Sequence, residues 1–226
     1  GQVVDPATGH SYRFVAEAGI SWFDARTDAH LLSISGHAGY LVAITSSTEN
    51  DFVATKTSAE NVWIGTSSEN AVLAALTPAI VGNVNNCEYY WADGSDAGQA
   101  TSATCGTPAA VNGSYSAWAQ GEPNNSGGTE ACGVDNWNGS RGSWNDLDCN
   151  SAAAAGFLVE FDTSASDFTG KALVFDDLTG QGLDAVPAAA PLANTGAGMF
   201  PAIELGAIVS IAAALLLLVA RRKANK

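Results

Sequence analysis

The sequence predicts an α+β domain rich in loops, followed by a linker and a hydrophobic anchor segment. Three observations predict this class. Residues 10 to 161 alternate short apolar runs with clusters of Gly, Asn and Ser, the pattern of short strands between turns. Two serines, Ser21 and Ser46, each stand three positions before an acidic residue at the head of an amphipathic stretch, which marks helix N-termini. Hydrophobic residues make up 46% of the 226-residue chain and charged ones only 14%, which supplies enough apolar material for a packed core.

The elements follow in order. Ser11 to Val15 (SYRFV) reads as the first strand. Ser21, with Asp24, caps a helix over Trp22 to Leu32, in which Trp22, Ala25, Ala29 and Leu32 share one face at helical spacing. Tyr40 to Ile44 (YLVAI) is a continuous apolar run of strand length and reads as a buried strand. Ser46 and Glu49 form a capping box that opens a second helix over Thr48 to Thr57, with Phe52 and Val53 inward. Asn61 to Gly65 (NVWIG) is the next strand, and Phe157 to Phe161 (FLVEF) closes the domain. Residues 162 to 195 form a Ser, Thr, Asp, Gly and Ala-rich linker, whose strand-like segment is Lys171 to Phe175. The chain carries no internal repeat, no heptads and no Gly-rich phosphate loop.

Charge and cysteine usage narrow the function. Nine basic against twenty-three acidic residues give a net charge of -14, which repels a polyanion and excludes nucleic acid as a partner. The four cysteines, Cys87, Cys105, Cys132 and Cys149, form no CxxC, and no His lies at zinc-ligand spacing. Disulfides are expected instead, with three pairings possible. His10, His30 and His37 are isolated in sequence and read as surface or helix-end residues.

The C-terminus carries an address. Leu205 to Ala220 is nearly uninterrupted aliphatic sequence, followed at once by Arg221, Arg222 and Lys223, which the positive-inside rule places in the cytoplasm. The run falls short of the roughly 20 residues a spanning helix needs, and Met199 to Ile203 extends it past Glu204. Upstream stand Leu192, Ala193, Asn194, Thr195 and Gly196. LAxTG, apolar stretch and basic tail in that order resemble the cell-wall sorting signal of Gram-positive bacteria, in the variant linked to class E sortases of actinobacteria. The resemblance implies cleavage after Thr195 and attachment of Thr195 to peptidoglycan. Residues 196 to 226 are then a transient membrane anchor, and the protein is extracellular and wall-anchored. A start at Gly1 fits a chain whose signal peptide has been removed.

The order of elements, together with Trp22, Gly39 to Ile44, Trp63-Ile64-Gly65, Trp91-Ala92-Asp93-Gly94, Trp118, Gly121-Glu122-Pro123-Asn124, Glu130-Ala131-Cys132, Trp144-Asn145-Asp146 with Cys149, and Phe157 to Phe161, resembles the C-type lectin-like domain. The resemblance covers residues 1–161, with an enlarged region over about 66–113. It implies a fold of two helices, small antiparallel sheets and a long loop region. It also implies a Cys132–Cys149 disulfide, with Cys87 and Cys105 left to pair within the insertion around Trp91. The family's long-range disulfide has no counterpart: its positions correspond to Ala29 and Val159. The five tryptophans named above match core or loop-anchoring positions.

The resemblance places the chemistry in Glu122, Asn124, Glu130, Asn145 and Asp146. All offer oxygen and three are anionic, which is the ligand chemistry of calcium. One ion is implied. Two adjacent sugar hydroxyls then each give a lone pair to the metal, donate a proton to Glu122 or Glu130, and accept a bond from the Asn124 or Asn145 amide. Asp146 is a ligand only, and Pro123 is expected in the cis form. The order Glu122-Pro123-Asn124 is the family's order for equatorial 3,4-diols, as in mannose, glucose and N-acetylglucosamine, with fucose also accepted. The family's auxiliary calcium positions correspond to Ser68, Val72, Asn125 and Ala131, none of them acidic, although Glu69, Glu88 and Asp96 of the insertion offer other carboxylates. Catalysis is not expected: calcium-bound carboxylates are poor proton donors, and no nucleophile has a partnered base. The sequence thus reads as a calcium-dependent, mannose-type lectin acting as an adhesin on the bacterial wall. The alternative is a protein-binding adhesin in which calcium only orders the loops.

Overall fold

A computed structural model describes residues 2–76, 79–107, 109, 111–168, 171–172 and 186–187. The chain enters through the hairpin β1 (Gln2–Val4) and β2 (Ser11–Ala16), then α1 (Trp22–His30), β3 (Ser33–Ile34), β4 (His37–Leu41) and α2 (Ser47–Ala54). After β5 (Val62–Ser67) come α3 (Asn70–Leu73), β6 (Tyr89–Trp91) and β7 (Ala100–Ser102). The second half supplies β8 (Glu130–Asp135), β9 (Asn145–Asp148) and β10 (Gly156–Phe161), and a small pair, β11 (Lys171–Ala172) and β12 (Val186–Pro187), follows. The arrangement is α+β, as the sequence predicts.

The last core strand organises the rest. β10 pairs antiparallel with β2 (Phe157 opposite Val15, Phe161 opposite Ser11) and with β4 (Val159 opposite Leu41), and parallel with β5 (Phe157 opposite Trp63). All six β10 residues are buried, so a run of apolar side chains rather than an alternating one is what this position selects. From β5 a second group extends through β6 to β7 on one side and through β8 to β9 on the other.

Both helices start where their caps stand. The Ser21 hydroxyl accepts the Asp24 N–H and the Ser46 hydroxyl accepts the Glu49 N–H, each at 3.1 Å. The second cap is not a closed box. Glu49 Oε2 accepts the Thr45 N–H at 2.8 Å, one residue outside the cap, while Oε1 accepts the Tyr12 hydroxyl at 2.7 Å. Both helices end before the predicted positions, at His30 and Ala54. A third helix, α3, is a single turn within the insertion and goes beyond the two expected.

The apolar run Tyr40 to Ile44 is only partly strand. β4 ends at Leu41, because it is the return arm of a tight hairpin with β3 through Ser35 and Gly36, both at positive φ. Val42 then bridges two strands: its N–H donates to Leu158 O at 3.0 Å and its carbonyl accepts the Gly65 N–H at 2.8 Å. Burial therefore accounts for the run better than pairing does.

Tryptophans fill the core with their polar edges satisfied, so little desolvation cost offsets their burial. Trp22 Nε1 donates to Ile64 O and Trp63 Nε1 to Ile20 O, both at 2.8 Å. Ala29 and Val159 are fully buried. Gly39 is wedged between them: a Cβ there would lie 2.7 Å from Val159 Cγ1 and 2.8 Å from Ala29 O. Tight packing stands where the family's long disulfide would be. Two disulfides form, Cys87–Cys105 and Cys132–Cys149. The LANTG positions Leu192 to Gly196 and the apolar run 205–220 lie outside the described residues. Among the described residues no helix is long and apolar enough to cross a membrane.

Candidate functional site

An aromatic layer carries the site. Trp118 and Trp144 form a parallel bridge, with Trp144 N–H to Ala117 O at 2.9 Å and Ala119 N–H to Trp144 O at 2.8 Å. Trp91, Trp118 and Tyr115 meet Trp144 edge-on at centroid distances of 5.5, 5.9 and 5.8 Å, and Trp144 Nε1 donates to Asn50 Oδ1 at 3.0 Å. The residues that follow Trp118 and Trp144 are thereby fixed relative to each other, although 26 positions separate the two.

Asp146 sits at the centre of what they present. It is fully buried on β9 opposite Gly133. Its Oδ1 accepts the Asn124 N–H at 3.0 Å, and its Oδ2 accepts the Asn125 N–H at 2.8 Å and the Tyr89 hydroxyl at 3.1 Å. The same Tyr89 hydroxyl lies 2.6 Å from the Glu130 carbonyl oxygen. Burial, with Asp146 beside it, pushes the Tyr89 phenol upward and keeps it a proton donor.

The loop between Glu122 and Glu130 closes on itself. The Glu122–Pro123 peptide is cis, and Asn125 adopts a left-handed conformation with φ 50°. Asn125 Oδ1 accepts the Glu130 N–H at 3.1 Å, while Glu130 Oε2 accepts the Ser126 N–H at 2.7 Å. The insertion holds the loop from outside: Gly106, next to the Cys87–Cys105 disulfide, donates its N–H to Pro123 O at 2.7 Å.

The Glu122, Glu130 and Asp146 carboxylates stand near enough for their charges to repel. Burial and the neighbouring Asp146 and Glu130 charges push the Glu122 carboxyl up to about 7. Glu130 is raised too, chiefly by burial. Glu122 Oε2 and Asn145 Oδ1 are buried acceptors with no hydrogen-bond partner among the described residues. Asn145 Nδ2 donates to Asp146 O at 2.6 Å, which uses one of its two N–H groups. The Asn124 side chain is exposed. Oxygen-only donors, clustered negative charge and two orphaned buried acceptors together fit a hard divalent cation such as calcium.

Tyr89 and Gly106, both in the insertion, stand outside the predicted set of site residues. The aromatic run Tyr89-Tyr90-Trp91, of strand type, is the nearest sequence signal for Tyr89. His10, half-buried at the surface, is isolated in sequence but not in the fold. That residue pairs with buried Glu160, Nδ1 to Oε1 2.7 Å, across 150 positions of sequence. The Glu160 hydrogen bond raises the imidazole above its ordinary value, and burial pushes Glu160 up to about 7 against the opposing pull of His10. His30 sits in the last turn of α1, 3.4 Å from Asp93, a helix-end position as expected.

The chain is similar to several known proteins. Halomucin of Haloquadratum walsbyi is 30% identical over 122 residues, 54% of this chain and 1% of halomucin. The hepatic lectin of Gallus gallus is 28% identical over 130 residues, 58% of this chain and 45% of that lectin. The chain thus spans less than half the length of either relative. Among solved structures, the C-type lectin CEL-I from Cucumaria echinata is 25% identical with a TM-score of 0.46, over 67% of this chain and 89% of that one. The sequence profile of the lectin C-type domain matches residues 21–155, more than half of the chain, and the protein belongs to the C-type lectin domain family.

Proposed function

We propose that this protein is a calcium-dependent lectin for mannose-type sugars, displayed as an adhesin on a bacterial cell wall. The observation that carries the reading is the pair of buried orphan acceptors, Glu122 Oε2 and Asn145 Oδ1, within a cluster of mutually repelling carboxylates. Calcium would be held by Glu122, Asn124, Glu130, Asn145 and Asp146, where it neutralises that repulsion and polarises two adjacent hydroxyls of a sugar. Glu122 and Glu130 accept the hydroxyl protons; Asn124 and Asn145 donate to the hydroxyl oxygens. Glucose, N-acetylglucosamine and fucose satisfy the same inventory. Within this site calcium would occupy all three carboxylates and leave none of them as an acid–base pair for hydrolysis, which accords with the non-enzymatic character of the family.

The same proposal takes residues 1–161 as the lectin domain, 162–195 as a linker, and 196–226 as an anchor removed when a class E sortase joins Thr195 to peptidoglycan. A single calcium site is weak, and display of many copies on one cell supplies avidity. Retention on immobilised mannose in calcium, with elution by chelator and by free mannose, is the expected behaviour. Calcium binding with no retention would favour the protein-binding adhesin. Wall-released protein ending at Thr195 by mass spectrometry is expected of the anchor assignment, and a chain retaining residues 196–226 would contradict it.

A further inference from the structure

Strand register gathers a second set of ligand atoms on one face of the sheet. Glu160 of β10 stands opposite both Tyr12 of β2 and Tyr40 of β4. Side chains alternate along a strand, so His10, two positions before Tyr12, and Asp162, two positions after Glu160, fall on that same face. His10 Nδ1 lies 2.7 Å from Glu160 Oε1 and 3.9 Å from Asp162 Oδ1. One ligand atom from each of the three residues lies within 4.8 Å of the others.

The surroundings hold these groups in place. Glu160 Oε2 accepts the Ala43 N–H at 3.0 Å, and Asp162 Oδ1 accepts the Tyr40 hydroxyl. The backbones that carry them are tied as well: Thr163 Oγ1 donates to Gly9 O at 2.8 Å and lies 2.8 Å from the Ser11 hydroxyl. Tyr12 links Glu160 to Glu49, its hydroxyl 3.4 Å from one carboxylate and 2.7 Å from the other, so the imidazole stands in the field of three carboxylates. The Glu160 side chain is 2% exposed, but those of His10 and Asp162 are 28% and 42% exposed. An ion and its waters can therefore enter from solvent.

The donor set selects the metal. An imidazole nitrogen with two carboxylates suits zinc and related transition ions, whereas calcium prefers oxygen ligands alone. Metal–ligand bonds of about 2.0–2.2 Å hold neighbouring ligand atoms roughly 3–3.6 Å apart, so both measured distances are within about 0.3 Å of what an ion requires. A small rotation of the half-buried His10 ring supplies the difference.

We propose that His10, Glu160 and Asp162 bind a divalent transition-metal ion of the zinc type, which clasps the start of β2 to the residues that follow β10. The ion takes the place of the Nδ1 proton, which passes to solvent, and water completes its coordination. The site shares no residue with the proposed calcium cluster and stands whether or not the protein binds sugar.

The test is zinc titration of the metal-stripped full chain in excess calcium, by calorimetry and by NMR of the histidine rings. One zinc per chain is expected, with the His10 ring nitrogens shifted and those of His30 and His37 unmoved. His10→Gln and Asp162→Asn, both at partly exposed side chains, should each weaken zinc binding at least about tenfold, the loss that even an outer-shell partner of a metal ligand brings. Neither substitution should alter the calcium titration. Absence of zinc binding by the parent protein overturns the site, as does zinc binding that survives both substitutions or that shifts His30 or His37 in place of His10.

Discussion

Asp146 accepts the backbone N–H of Asn124 at 3.0 Å, so the carboxylate that ends the Trp-Asn-Asp segment also holds the Glu-Pro-Asn loop, 22 residues away. Its other oxygen holds Asn125. In Asp146→Ala both amides lose their acceptor, and their hydrogen exchange should accelerate at least about tenfold, one such bond being worth about 1.5–3 kcal/mol. Global stability without calcium should change less, because removal of a charge beside Glu122 and Glu130 relieves repulsion. Unchanged protection of the two amides would refute the role assigned to Asp146.

The Asn124 side chain is exposed, while its backbone does the structural work. Asn124→Asp exchanges an amide donor for an acceptor at the proposed sugar diol. Mannose affinity should fall at least about tenfold, with the melting temperature within about 2 °C of the parent. Unaltered mannose binding would remove Asn124 from the site.

Much of this was legible before the structure, for identifiable reasons. Ser21 and Ser46 announce helix starts because capping is a local interaction within three residues. The Glu122, Glu130 and Asp146 set was legible through the family resemblance, not through spacing alone. The partnership of His10 with Glu160 was not legible, since antiparallel pairing of β2 with β10 is what brings residues 150 apart together. Tyr40 to Ile44 misled because burial on both sides produces an apolar run whether or not the residues pair. Tyr89 was hidden for a similar reason: its phenol reaches Asp146 and the Glu130 carbonyl, but its ring packs against Trp118 at 5.0 Å like any core aromatic.

The insertion braces the loop through Gly106, so its disulfide should matter beyond local stability. Replacement of Cys87 and Cys105 together by Ser is expected to cost about 2–4 kcal/mol of unfolding free energy and to weaken calcium binding. Calorimetry and urea unfolding check both. A loss of stability with undiminished calcium affinity would mean that the brace on Pro123 is dispensable.

Asp135 ends β8 fully buried, with the Asn136 backbone N–H beside its carboxylate and no well-formed hydrogen bond to either oxygen among the described residues. Burial pushes it up to about 7. The folded chain then binds a proton in the interval where the unfolded chain has released it, so this group's contribution falls as pH rises from about 4 to about 7. Asp135→Asn, neutral at every pH, should match the parent near pH 4 and exceed it near pH 8 by on the order of 2–4 kcal/mol in urea unfolding. An equal difference at both pH values would show that Asp135 does not titrate in this way.

The most direct measurement is calorimetric titration of the protein with calcium, then with mannose in calcium and in excess chelator. One calcium per chain, followed by mannose binding that chelator abolishes, is the predicted result. Calcium binding with no heat from mannose, glucose, N-acetylglucosamine or fucose would contradict the lectin assignment.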